Sequence, residues 1–471
     1  MYTYKFKESN DPQASVVETA EFTSRQRREV SHGPGEWSPV RLAVFRALFV
    51  FFSIQIVPWH FDFYRQVFSI NWLNPHFKEL LDLAIFLPEL VDAPVWGGWS
   101  FLNWFIYGAT SVIVAIVWGA VDKTSTNYNF LEYLLRAAVR YKVGLGLAAC
   151  GFYLLFQQQM PYPSLSNLHT NYGDLFAWKL YFQTTAINPA YQSFLGFVEL
   201  LAAAMILFPR FVTLGTGLVL GFLGNVAMVN LFYDVGHHIY VNFLLFASAY
   251  LFSQDVPKLW ALLAKGTRAV GEKYYPAWKD LRLNTVRQSL RVGTLLFILL
   301  IGIKGFLLIG KPFKVPQQAG IPGAYGYYIP TKFVLDGKEI PYSDTDPDRW
   351  QDVIFETWST VSFRINRPII ADISDGDGIS TNDLERNYEV AGSNGRHYFH
   401  YDIDQAGNQI HLRNKNINHR QEKWDLSYSF PTDSTMVLKG VNEKQQSVYA
   451  ELLRINKKYF MYEGRRNRIK L

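Results

Sequence analysis

FLGFVELLAAAMILFPRFVTLGTGLVLGFLGNVAMVNLFYDV, residues 194–235, holds two apolar runs on either side of the turn Phe208-Pro209-Arg210-Phe211. Each run is close to the ~20 residues that an α-helix needs to cross a hydrocarbon core, so the stretch reads as a transmembrane hairpin. Outward from it, comparable apolar runs occupy 41–59, 99–121, 139–156 and 239–252, and a last one occupies 292–309. With the hairpin's own 191–208 and 212–232, they predict a polytopic membrane bundle of about seven helices, the shorter runs borrowing flanking residues. Composition agrees: only 18% of the 471 residues are charged while 16% are aromatic, which points to lipid as the solvent for much of the chain. The net charge is only +6 and the basic residues lie between apolar runs, a pattern of membrane topology that excludes nucleic acid as the expected partner. A single cysteine, Cys150, rules out a disulfide framework or a metal site built from several cysteines of one chain.

The loops set an orientation. Lys258, Lys265, Arg268, Lys273, Lys279, Arg282, Arg287 and Arg291 face only Glu272 and Asp280 in the segment before the last span, so this segment is expected inside. Counting back through the spans places Arg210, then Lys123, Arg136, Arg140 and Lys142, and finally the N-terminal tail on the same side. The tail, residues 1–40, is polar and reads as a disordered cytoplasmic segment rather than a signal peptide. Segments 60–98, 157–190 and 233–238, and everything after 310, are then expected outside. FKELLDLAIFLPEL within 60–98 is expected to lie at the interface, as is DVPKLWALLAK, 255–265, on the inner surface.

Beyond the helical domain, 41–309, the pattern changes from apolar runs to period-two alternation broken by turn residues. YIPTKFVL turning at Asp336-Gly337, WQDVIFETWSTVSFRINR, HYFHYDI turning near Ala406-Gly407, NQIHLRN, KWDLSYSF, TMVLKGV and SVYAELLRI predict about seven to nine antiparallel strands over 310–471. The expected form is all-β, a lipocalin-like barrel or a sandwich.

An ionisable group inside a span is a functional candidate by default, with helix packing as the competing role. Glu199 lies about ten residues into its span, ~15 Å along the helix axis. Asn230 and Asp234, four apart, share one face at the end of the next span, with Tyr233 beside them, Asn225 about a half-turn from Asp234 round the helix, and His237 and His238 following at once; together with Glu199 they form the candidate polar site. This patch suits a quinone headgroup or a small anion, or else a hydrogen-bond network holding the helix end. His60, His76 and His169 are expected on the same side, but no histidine spacing marks a metal or haem site. DISDGDGISTND, 372–383, fails as a calcium loop: with Gly378 aligned, Ile373 and Leu384 occupy positions that require carboxylates. No cofactor is evident beyond a bound quinone, and no catalytic residue is assigned.

The stretch 159–235 resembles DoxX-like integral membrane proteins of bacteria. The resemblance is carried by PYPSL, by Tyr172-Gly173-Asp174, by Gly196-x-x-Glu199, by Arg210, and by Asn225, Asn230, Tyr233 and Asp234 in N-x-x-x-x-N-x-x-Y-D-V. It extends over a core of about 130–255, and the segment between Lys332 and Arg454 looks like the extracytoplasmic domain fused to some longer members. Many relatives carry a lysine near Tyr153–Phe156 and Pro-Val-Lys after the Tyr-Asp pair, where this chain has Gly236-His237-His238. The resemblance implies a multi-pass protein of a bacterial inner membrane. It also implies a quinone-linked oxidoreductase subunit or accessory that works with a redox partner. The alternative is a non-enzymatic envelope anchor whose periplasmic β-domain binds a small apolar ligand or another envelope protein. In either case membrane lipid surrounds the bundle.

Overall fold

The computed structural model describes residues 35–94, 98–236, 238–267, 274, 276, 281–404 and 408–463. The N-terminal tail up to residue 34, much of the basic segment before the last span, and the expected turn near Ala406-Gly407 lie outside the described residues. Among the described residues six helices are long and apolar enough to cross a membrane, or seven if His238–Ser253 and Val256–Lys265 form one span. The protein is a multi-pass membrane protein with a C-terminal β-barrel. Residue contacts divide it into two units.

The first unit comprises described residues up to Val57, Trp104–Val139 and Ser253–Arg287. Its helix α1, Pro39–Ile56, starts at an Ser38 side-chain cap with proline in the first turn, where a missing N–H costs nothing. Arg46 is buried on α1, and its guanidinium donates to the Tyr128 hydroxyl (2.8 and 3.0 Å) and to the Asp122 carbonyl (3.1 Å). Tyr128 in turn donates to the Asp122 carboxylate at 2.8 Å, so every charge in this apolar setting has a partner.

The second unit comprises Pro58–Asn103, Arg140–Phe252 and Gln288–Leu471. It holds the short helices α2 (Phe61–Ser69) and α3 (Phe77–Ile85); the next helix, α4 (Leu102–Val121), falls almost wholly in the first unit, and α5 (Asn129–Leu155) is divided after Val139. The second unit continues with α6 (Leu165–Leu168), α7 (Ala177–Ala186), α8 (Pro189–Leu207), α9 (Val212–Phe232) and α10 (His238–Ser253), while α11 (Val256–Lys265) belongs to the first and α12 (Leu281–Phe306) is divided after Arg287. α3 departs from the interfacial expectation. Phe77, Leu80, Leu81 and Ala84 are buried against Ala149 and Tyr153 of α5, Ile301 of α12 and Phe313. Its sequence is apolar on more than one side, so it packs inside protein instead of lying half-wet. The start of α3 is closed by a capping box between His76 and Glu79. At its other end Lys142 donates to the carbonyls of Ala84 (3.2 Å) and Phe86 (2.6 Å), a cation placed where a helix leaves acceptors free.

The barrel is built from β1 (Gly326–Leu335), β2 (Lys338–Glu339), β3 (Trp350–Phe355), β4 (Thr360–Ile365), β5 (His397–Asp404), β6 (Gln409–Asn414), β7 (Lys423–Thr432), β8 (Thr435–Val441) and β9 (Ser447–Ile455). Neighbours pair antiparallel in up-and-down order, and β1 pairs β9 from Tyr327↔Ile455 to Leu335↔Val448, closing an eight-stranded barrel. The short β2 only extends the β1 hairpin through Asp336-Gly337, both at positive φ, as a two-residue hairpin turn requires. Closure satisfies the edges a sandwich would leave open. The lumen is packed: Trp350 and Trp424 stack 5.5 Å apart at 3°, with Phe363 and Phe399 against them. Eight strands leave an interior that side chains can fill.

Candidate functional site

The β4–β5 connection leaves the barrel and packs against helices. Its Tyr388 and Ala391 share a core with Leu154 of α5, Met160, Trp178 and Phe182 of α7, and Val235. Polar anchors reinforce that contact. Glu356, fully buried at the end of β3, accepts from Leu165 N (3.2 Å), Ser166 N (2.7 Å) and Ser166 Oγ (2.6 Å). Burial and the nearby Glu389 nevertheless push the Glu356 carboxyl up to about 7. Glu389 accepts from Lys415 (2.7 Å), Thr360 (2.8 Å) and Trp358 (3.0 Å), and Arg396 holds Asp352 at 2.5 Å. Lys179 of α7 is wholly buried, donates to the Tyr388 carbonyl and lies 3.7 Å from the Tyr388 ring centroid; burial brings its amine down to about 7.

Beneath this contact is a cavity of about 90 Å³ among α3, α5, α8, α9 and α10. Its wall is mostly Leu, Val and Phe. The helices reach it through close approaches. A Cβ on Gly196 would sit 2.4 Å from Leu155 N and 2.5 Å from Gly151 O, so α8 can lie on α5 only with glycine here. One turn on, that crossing turns Glu199 into the cavity. Tyr240 lines the same cavity, and its hydroxyl fits into space left by Gly146, where a Cβ would lie 1.8 Å from it. Glu199 and Tyr240 are 5% and 8% exposed, and neither Glu199 Oε2 nor the Tyr240 hydroxyl has a hydrogen-bond partner. Leaving such atoms unpaired costs about 1–3 kcal/mol each.

Cys150 and Tyr153 of α5 also line the cavity, as do Asn230 of α9, Tyr181 and Asp377. Tyr153 donates to the Asp377 carboxylate, which Lys314 holds at 2.8 Å and Lys78 at 3.5 Å; Lys78 is shared with Asp82. The loop that fails as a calcium site thus places one of its aspartates at the cavity wall.

Of the residues singled out by sequence, the structure brings Glu199 and Asn230 together. Asn225 is exposed: five residues before Asn230, it lies well round the helix. Tyr233 is 44% exposed with its ring 5.4 Å from Tyr181, and Asp234 is exposed at φ 52 just beyond α9. His238 is buried elsewhere, 2.7 Å from Ser100 Oγ, and His237 lies outside the described residues. His60 and His76 cap α2 and α3, and His169 stacks on Tyr327 at 4.0 Å. Among the described residues no three His, Cys, Asp or Glu side chains are placed to share a metal ion. Sequence reasoning missed Cys150, Tyr153, Tyr181 and Tyr240. Their only signal is polar tips recurring on otherwise apolar helices, which core packing produces equally well.

No protein-family model, curated protein or solved structure matches this chain.

Proposed function

We propose that the cavity binds the ring of a lipid-soluble quinone and that the protein is a quinone-linked oxidoreductase subunit or accessory of a bacterial inner membrane, related to DoxX-like proteins. The observation that carries this reading is the pair of unpartnered polar atoms, Glu199 Oε2 and the Tyr240 hydroxyl, on an apolar wall within the helical bundle. A quinone is flat and apolar with carbonyl oxygens at its ends, so it would take both the wall and the donors. The cavity is smaller than the ~150 Å³ that holds benzene in an engineered core. Met160, flexible at three bonds, lines it and supplies the needed give.

Reduction of a quinone to the quinol takes two electrons and two protons. With one cysteine in the chain, the electrons are assigned to a partner protein. Glu199 and the Tyr153–Asp377 pair are the groups at hand to pass protons. The basic loops argue for the N-terminus in the cytoplasm and the barrel in the periplasm, and the packing of 157–190 on the barrel agrees with a shared side. In the second reading the bundle anchors a binding barrel. Its side-chain-filled lumen favours the membrane cavity as the ligand site, leaving the barrel's outer surface for a partner protein.

The test is purification of the full chain in mild detergent, solvent extraction and mass spectrometry for quinones, followed by titration with a short-chain quinone. Retained quinone, with binding weakened in a Glu199→Leu/Tyr240→Phe double variant, supports the reading. A quinone-free protein that ignores the added quinone contradicts it.

A further inference from the structure

A second concavity lies away from the quinone cavity, between α5, α8 and α12. It encloses about 210 Å³ and is lined by Tyr141 and Ala148 of α5, Ala204 and Leu207 of α8, and Arg291 and Leu295 of α12, among others. The two outer helices run side by side in a fixed register. Gly302 meets Phe152 and Gly305 meets Phe156 further along the same pair, an offset of about 150 residues that also aligns Arg291 with Tyr141. The lining repeats after seven residues on both helices, so the groove follows the bundle for ~10 Å. Its floor is made of small residues and its walls are apolar.

Charge gathers at one end only. Arg291 lies there, exposed, and the Arg140 guanidinium sits 5.2 Å from the Tyr141 ring. Arg140 Nε is buried with no hydrogen-bond partner. An apolar slot with the Arg291 guanidinium and the Tyr141 phenol at its mouth, and the Arg140 guanidinium beside that phenol, matches a molecule that carries an acyl chain and a phosphate. Guanidinium groups bind phosphate oxygens in pairs, and basic pockets between spans at the cytoplasmic rim suit anionic headgroups. We propose that this groove binds an anionic phospholipid, one acyl chain between Ala148 and Ala204 and the phosphate against Arg140 and Arg291. The site is independent of the quinone cavity.

The experiment is native mass spectrometry of the full chain in detergent, titrated with phosphatidylglycerol or phosphatidylcholine of identical acyl chains. The proposal expects about tenfold or greater preference for phosphatidylglycerol, and loss of that preference in Arg140→Gln/Arg291→Gln. Ala204→Phe leaves both arginines in place and fills an exposed part of the groove, so it tests the chain site in a protein whose charge is unaltered. It is expected to lower phosphatidylglycerol retention without shifting the thermal midpoint in lipid-free detergent. Equal retention of the two lipids by the unmodified protein, or full retention of phosphatidylglycerol by a folded Ala204→Phe variant, would overturn it.

Discussion

The barrel domain and the cavity of the helical bundle are both walled in part by aromatic side chains, and they treat buried carboxylates in opposite ways. In the barrel and the loops packed on it, Glu389 has Lys415, Thr360 and Trp358, Asp352 has Arg396, and Glu356 has three donors from Leu165 and Ser166. Its lumen is closed by stacked tryptophans. In the bundle a space remains unfilled, and of the residues that line it Glu199 and Tyr240 each keep a buried oxygen with no hydrogen-bond partner. The first arrangement lets charges sit where water is absent. The second carries a standing cost that a ligand would relieve, which is why the proposed quinone site is in the bundle and not in the barrel.

Breaking a satisfied pair should give the largest effect. Lys415→Met strands the Glu389 carboxylate in a fully buried site and is expected to cost about 3–5 kcal/mol, read as a lowered denaturation midpoint of the purified chain. Trp424→Ala opens the packed lumen and should cost about 3–4 kcal/mol in the same assay. A milder effect belongs to Glu356. Its folded-state carboxyl titrates near 7, above its unfolded value, so the native state holds the extra proton in between. Stability should therefore fall as pH rises from about 4.5 to 7, and Glu356→Gln should flatten that slope. Buried Lys179 acts in the opposite sense, adding stability as pH rises above about 7. Smallest of all, Glu199→Gln should change stability by no more than about 1 kcal/mol in ligand-free protein, since no partner is lost. A large loss there would mean that Glu199 is structural, and the contrast between the two regions would collapse.

The spans were legible because crossing lipid demands an uninterrupted apolar run, which few other structures need. The strands were legible through alternation, as in β6, where buried and exposed residues alternate throughout. Glu199 stood out as a lone acid in such a run, and the Gly196 that precedes it by three residues proved to be the contact that aims it. What stayed hidden depends on which helices meet. α3 reads alike whether its apolar faces meet lipid or protein, so its burial against α5 and α12 was not foreseeable. Tyr240 and Cys150 look like ordinary residues of a span until α10 and α5 are set side by side. Asp377 is far from Tyr153 in the chain, and only the fold of the β4–β5 connection brings it to the cavity. The separation of Asn225 from the face of Asn230 was legible in helical geometry alone, because five residues turn the helix by ~140° beyond a full circle.

The most direct test is the affinity of the detergent-purified full chain for a short-chain quinone, followed by quenching of its tryptophan fluorescence. Unmodified protein should bind saturably, and Glu199→Leu/Tyr240→Phe should bind at least about tenfold more weakly while still unfolding cooperatively, the loss expected for two hydrogen bonds. Equal affinity in the two proteins, or no saturable binding in either, would contradict the assignment of the cavity as a quinone site.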